Sequence, residues 1–222
     1  MKLTSFNVAV VEGDTHLSKW IMEHGRLDIA EGFLSLFRRF IPDGGTVVDI
    51  GACLGDHTAT YSKFVGPRGE VHAFEPNPVA LECLEHNMKP YRNVIVHGEA
   101  LGAFNGEVSI KTNDNLGMAQ VIEGAGIKLR TLDSKTSGWA RLDFIKIDAE
   151  GYELDILIGA IQTITRFRPV MLIEVNRGIL TKQGRSPDDV FRKLKNLGYS
   201  CLPAEKHLRL DMEQVDVLCL PR

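Results

Sequence analysis

Asp49, Gly51 and Gly55 stand where the apolar run Val47 to Ile50 gives way to a segment with helical spacing, in the stretch VVDIGACLGDHTATYSKF. A glycine at such a junction lets the backbone turn tightly and approach a ligand, while the following helix offers free N–H groups and a positive dipole end to a carboxylate or phosphate. Glu75 closes the next apolar run, 24 residues after Gly51. An acid at that point of an open α/β sheet accepts two hydrogen bonds from a ribose diol. Glu99 closes the third run in the same way. Taken alone, the glycines fit a plain strand-to-helix turn, because GACLG lacks the three-glycine dinucleotide pattern and shows no pyrophosphate cradle. The acid at the next strand end turns the reading toward a nucleoside-like cofactor.

Strands alternating with helices must position these residues. TVVDIG, GEVHAFEP, NVIVHGEA, LDFIKID and PVMLIEV read as buried strands, and YSCLPAE and VDVLCLP as two closing ones. Between them lie helical segments: one ending at Gly66-Pro67, one opened by Asn77-Pro78, and one opened by Ser186-Pro187-Asp188-Asp189. A further helix is expected after LDFIKID, with Leu154, Leu157, Ile158, Ile161 and Ile164 on one face. This rhythm implies right-handed crossovers and a doubly wound, mostly parallel sheet in a single domain over 1–222. Residues 101–141 interrupt it as a β insertion near the sheet's edge, with GEVSIKT and IKLRTL as extra strands around the loop NDNLGMAQ. Residues 1–45 form an N-terminal helical lid over the cofactor. Its first helix carries Leu17, Trp20 and Ile21 on one face, and its second is opened by a capping box from Asp28 to Glu31.

The 222 residues carry a net charge of −3, which argues against a nucleic-acid or anionic-membrane surface and favours a small-molecule or sugar partner. Four cysteines without metal spacing read as reduced and mostly buried. With no signal peptide or membrane span in view, the cytoplasm is the expected location. Oligomeric state stays open, a homo-oligomer included.

The blocks VVDIGACLGDHT, VHAFEPNP, EALG, TLD, LDFIKIDAEGYELDILIGA and PVMLIEVN, in that order over about Thr46 to Asn176, resemble the FkbM family of S-adenosylmethionine-dependent methyltransferases. The resemblance implies a Rossmann-like class I methyltransferase fold with seven strands in the order 3-2-1-4-5-7-6, the last inserted strand antiparallel. It implies transfer of the cofactor's methyl group to a hydroxyl of a sugar or secondary metabolite. Carried over by position, Asp49, Gly51, Ala52, Gly55, His57 and Thr58 would surround the methionine end. Glu75 would hold the ribose, Pro76 and Asn77 would shape the adenine edge, and Glu99 and Ala100 would flank the adenine. Cys53 departs from the family, which usually has an asparagine there; a thiol removes a hydrogen-bonding amide beside the cofactor.

An alcohol must lose its proton during such a transfer, so a base or a metal is needed nearby. Asp148 at the end of LDFIKID, Glu150 just beyond it and Glu174 near the end of PVMLIEV are the expected catalytic carboxylates, with Asp148 as base or acceptor binder. Lys146, two residues before Asp148, could keep a carboxylate ionised or form a structural ion pair. Glu150 and Glu153 also suit helix-start positions matched to the dipole. Asp148 with Glu174 and Asn176 matches metal-assisted catechol-type transfer only loosely, so no metal is expected. His57 reads as a cofactor neighbour or cap, His24 as a surface residue and Trp20 as core packing. Two alternatives remain: an NAD(P)-dependent oxidoreductase or epimerase, which here lacks both the glycine fingerprint and a Tyr-x-x-x-Lys pair, and a non-catalytic metabolite-binding module.

Overall fold

The computed structural model describes residues 1–27, 31–112, 115–205 and 207–222. Asp28 of the expected capping box and part of the NDNLGMAQ loop lie outside them. Seven strands form the main sheet: β1 (Thr46–Ile50), β2 (Glu70–Phe74), β3 (Val94–His97), β4 (Phe144–Ile147), β5 (Val170–Asn176), β6 (Tyr199–Pro203) and β7 (Gln214–Pro221). Their spatial order is 3-2-1-4-5-7-6. The pairs β1/β2, β2/β3, β1/β4 and β4/β5 are parallel, while β7 runs antiparallel to both β5 and β6. β1 and β4 are buried along their whole length, which is why their sequences are mainly apolar rather than alternating, with Asp49 and Lys146 as buried charged exceptions.

The helix punctuation in the sequence is used as expected. Asn77 Oδ1 accepts the Val79 N–H at 3.1 Å ahead of the helix Pro78–Met88, and Ser186 Oγ accepts the Asp188 N–H at 3.3 Å ahead of Pro187–Asn196. Gly66 terminates Asp56–Val65. The helix expected after β4 is instead two, Glu153–Ile158 and Ile161–Phe167. Gly159 lies between them, where the backbone passes so close to Gly102 that a Cβ would lie 1.9 Å from its carbonyl oxygen and only glycine fits. Leu157 and Ile164 are buried as the periodicity requires, but Ile158 and Ile161 flank the break and are exposed. Asp133 rebuilds the second helix's start: its carboxylate accepts the Gln162 and Thr163 N–H groups at 3.1 and 2.7 Å and the Thr163 hydroxyl at 2.7 Å. Asp133→Ala is therefore expected to cost about 2 kcal/mol, as loss of a strong cap does. In a chain of this size that lowers Tm by about 4–8 °C, read by calorimetry.

The insertion is a separate three-stranded sheet of Ala100–Leu101, Gly106–Lys111 and Gln120–Arg130. Its long strand starts seven residues earlier than IKLRTL suggested, and Thr131 already caps the helix Leu132–Thr136. The N-terminal segment splits between two places. Ala9, Val10 and Ile21 pack with Ala52, Leu54, Ala80 and Leu84, while Leu34, Phe37 and Ile41 pack with Val47, Tyr61 and Phe144. Trp20 is half-buried and stacks on exposed His24 with centroids 4.1 Å apart. The cysteines are free, Cys83 and Cys219 buried and Cys53 and Cys201 half-buried. Among the described residues no helix is long and apolar enough to cross a membrane.

Candidate active site

A cleft opens at the carboxyl ends of β1, β2 and β4, the side on which open α/β sheets take ligands. Gly51, Cys53, Glu75, Pro76, Asn77, Glu99, Ala100, Asp148 and Glu150 line it, as do the apolar side chains of Ile50, Phe74, Leu101 and Ile156. The turn after β1 is shaped by contacts no other residue would permit. Gly51 has φ +80°, and a Cβ on it would stand 1.8 Å from the Asp148 carbonyl oxygen. Its N–H and that of Ala52 both donate to the Phe74 carbonyl, at 3.0 and 3.1 Å, which ties β1's exit to the end of β2. Gly55 serves packing instead: its φ is +95°, and a Cβ would meet Met88 and Leu84 at 2.6 and 2.9 Å.

Glu75 is buried at the cleft wall, and its two carboxylate oxygens are held apart by two backbone donors. Oε2 accepts the Cys53 N–H and Oε1 the Asn77 N–H, both at 2.8 Å. Each oxygen keeps a further lone pair for another donor. Burial pushes this carboxyl up to about 7, against the pull of those two hydrogen bonds. Cys53 itself has φ +49°, a left-handed conformation that asparagine adopts more readily than cysteine. The asparagine usual in the family that the sequence resembles would thus suit this backbone. Asn77 is 1% exposed, its Oδ1 spent on the helix cap and its Nδ2 without a partner. Glu99 is bonded to Lys135 Nζ at 2.7 Å; burial works against ionisation, but the lysine holds the carboxyl below its ordinary value.

Five residues expected near the cofactor do not line this cleft: Asp49, Ala52, Gly55, His57 and Thr58. They form the layer behind it. Asp49 is fully buried and accepts the Thr58 hydroxyl at 2.6 Å through Oδ2, while Oδ1 has no partner. Burial raises its carboxyl, with the Lys146 charge opposing. His57 is pushed down to about 4 by burial and the nearby Lys146 charge, and is neutral at pH 7. None of the described residues before Thr46 lines the cleft, the proposed lid and His24 included.

Asp148 and Glu150 in the cleft wall bring one carboxylate oxygen each to within 4.8 Å of one another and of one from Glu174. Lys146 donates to Asp148 Oδ2 at 2.9 Å; burial opposes its charge, but Asp148 and Asp49 together raise its amine well above the ordinary value. Burial first, then the Asp148 charge, pushes Glu150 and Glu174 up to about 8 each. Glu174, which does not line the cleft, accepts Gln214 Nε2 at 2.7 Å. Glu153 is 1% exposed, accepts the Gly151 N–H at 2.9 Å and is pushed up to about 7, mainly by burial. Asn176 is committed elsewhere: its Oδ1 caps the helix Arg177–Lys182 at the Ile179 N–H, 3.1 Å away. The three clustered oxygens could take a hard divalent cation or share protons.

Carboxyls raised in the folded state bind protons that the unfolded chain releases near 4.5. Their contribution to stability is complete below that pH and is lost as pH rises toward about 8. Tm is therefore expected to fall between pH 5 and 8. Glu150→Gln should flatten that fall, raising Tm at pH 8 and leaving it nearly unchanged at pH 5. The substitution adds no backbone strain, since both side chains meet the same φ of +48°.

Tyr152, Ile110 and Val121, which sequence reading did not single out, also line the cleft, as do Gly117 and Ala119 from the NDNLGMAQ loop, which the sequence offered as part of an acceptor pocket. Tyr152 carried a signal, being two residues past Glu150 at the end of β4. The other four come from the insertion, whose fold-back onto the sheet leaves no local pattern.

Residues 49–201 match the family model described as the Methyltransferase FkbM domain. No curated protein matches the chain. Among solved structures, an FkbM methyltransferase from Methylobacillus flagellatus KT is 20% identical with a TM-score of 0.54, covering 80% of this chain and 44% of its own. Fibrillarin from Aeropyrum pernix, solved with natively bound S-adenosyl-L-methionine, is 15% identical with a TM-score of 0.50, covering 81% of this chain and 67% of its own. A SAM-dependent O-methyltransferase from Thermotoga maritima is 13% identical with a TM-score of 0.51, covering 90% and 69%. At these identities the structures share the fold, and this chain spans less than half the length of the first. The family model covers most of the chain, across the strand ends that build the cleft, and the chain belongs to the FkbM family of S-adenosylmethionine-dependent methyltransferases.

Proposed function

We propose that this chain moves the methyl group of S-adenosylmethionine to a hydroxyl oxygen of a small-molecule or sugar acceptor. The observation that carries the reading is Glu75, a buried carboxylate at the tip of β2 whose two oxygens are spread by the Cys53 and Asn77 N–H groups and left able to accept again. That is the acceptor pair a ribose diol needs. The cleft fits the rest of the cofactor in kind: Phe74, Leu101 and Ile156 supply apolar walls for a base, and Asn77 Nδ2 is a buried donor still to be used. When bound, the cofactor supplies an electrophilic methyl carbon on a sulfonium.

The chain's own contribution is positioning and proton movement. Gly51 brings backbone to the cleft wall, and Asp49, Ala52, Gly55, His57 and Thr58 support that turn from behind. Pro76 and Asn77, with Glu99 and Ala100, border the base. Holding two reactants in line is worth on the order of 7–11 kcal/mol. Asp148, held by the Lys146 ammonium at 2.9 Å, orients the acceptor hydroxyl and takes its proton, directly or into the pool shared with Glu150 and Glu174. Carboxyls titrating near 8 make stronger bases than solvated ones, so proton transfer to them is less uphill. Transfer proceeds without a metal.

The test is calorimetry with S-adenosylhomocysteine and with NAD. Binding of the first and not the second is expected; binding of NAD alone would overturn the reading in favour of a dehydrogenase or epimerase.

A further inference from the structure

A second cavity adjoins the cleft and shares Val121 and Tyr152 with it. Three cationic side chains, Lys111, Lys182 and Arg185, line it, and among the described residues no Asp or Glu does. This is a local reversal of sign in a chain of net charge −3, beside a cleft lined by Asp148 and Glu150. The cations come from two elements that face each other, the end of the insertion strand Gly106–Lys111 and the region of the helix Arg177–Lys182.

The cavity wall is fastened to the reaction centre. Gln183 Nε2 donates to the Glu150 carbonyl at 3.3 Å, and Arg185 Nη1 donates to the Gly151 carbonyl at 3.0 Å. Arg185 also pairs with Asp155, and its guanidinium lies 5.4 Å from the Tyr152 ring centroid. Its orientation is thereby set by three contacts, with Tyr152 as the partition between the two cavities. A molecule seated here would reach past Tyr152 and Val121 toward the Asp148 and Glu150 carboxylates.

We propose that this cavity binds the methyl acceptor through an anionic group, a carboxylate or a phosphate, held by Lys111, Lys182 and Arg185 while its hydroxyl enters the cleft. The inference rests on the methyltransferase reading for its identification of the ligand as the acceptor. Cations gathered in one cavity select such acceptors over neutral parents of the same shape, because their charge gains nothing from a neutral ligand.

The test is titration of the protein with inorganic phosphate and with malonate, with and without saturating S-adenosylhomocysteine, against sodium chloride at equal ionic strength. At least one anion should bind one-to-one and leave S-adenosylhomocysteine in place; which one binds distinguishes a phosphorylated from a carboxylated acceptor. The double variant Lys111→Gln/Lys182→Gln should weaken that binding by about tenfold or more, as expected for lost charge-assisted hydrogen bonds, with S-adenosylhomocysteine affinity unchanged. Neither anion binding, equal binding by the variant, or displacement of S-adenosylhomocysteine by the anion would overturn the proposal. Anion binding without any affinity for S-adenosylhomocysteine would instead overturn the methyltransferase reading and leave the anion site standing.

Discussion

Glu75→Ala is expected to weaken S-adenosylhomocysteine binding by at least about 100-fold, because hydrogen bonds to a charged acceptor contribute about 1.5–3 kcal/mol each and a ribose diol makes two. The loss has a second source. Without the carboxylate, the Cys53 and Asn77 N–H groups lose their acceptor, and the turn after β1 loses the tie that spaces it from the start of the next helix. Glu75→Gln separates the two effects: its amide can accept one of those N–H groups but presents a donor to the other, so its affinity should fall between wild type and alanine. Circular dichroism should show the fold retained in both, since Glu75 lies at a strand tip and Phe74 beside it keeps the core contacts. Calorimetry with S-adenosylhomocysteine reads the outcome; equal affinity in wild type and alanine variant would mean that the ribose lies elsewhere.

That Glu75 could be singled out in sequence reflects how parallel sheets are written. A strand buried on both faces is a continuous apolar run, so the first acid after it marks the strand's carboxyl end, where ligands gather. Asp148 was legible for the same reason, and Glu174 as the one acid near the end of a mainly apolar β5. Side chains that enter the cleft from the insertion were not, because Ile110 and Val121 reach it through a fold-back of a separate sheet, a contact that leaves no period in the chain. The helix after β4 misled in an instructive way: its apolar spacing runs straight through Gly159, where the helix in fact breaks and where the Gly102 carbonyl, distant in sequence, leaves room for glycine alone. Gly55, which reads like part of a ligand-binding turn, proves to be a packing position under Met88. Strand ends were readable because burial is a local pattern, whereas close backbone approach is a property of the assembled layers.

Asp148→Asn is expected to lower kcat by about 10²- to 10⁴-fold, the range for removal of a positioned acid or base, while changing S-adenosylhomocysteine affinity little. Asparagine keeps the shape and can still accept from Lys146, so a drop in turnover would report charge and basicity rather than collapse of the site. The variant also carries a diagnostic in its pH dependence. Glu150 and Glu174 are pushed up to about 8 by burial and then by the Asp148 charge. In wild type, kcat/KM should rise with pH as these carboxyls lose their protons, levelling above about 8. Removing the Asp148 charge removes one of the repulsions that hold those protons, so the rising limb of the variant's slower profile should move to lower pH. Both profiles can be read from S-adenosylhomocysteine release with any hydroxyl acceptor that wild type turns over. Excess EDTA should leave the wild-type rate unchanged, since proton sharing among the three carboxyls already accounts for their proximity. A rate abolished by EDTA and restored by magnesium would reassign Asp148, Glu150 and Glu174 from proton acceptors to metal ligands, and the pH profile would then follow deprotonation of the ligand set instead.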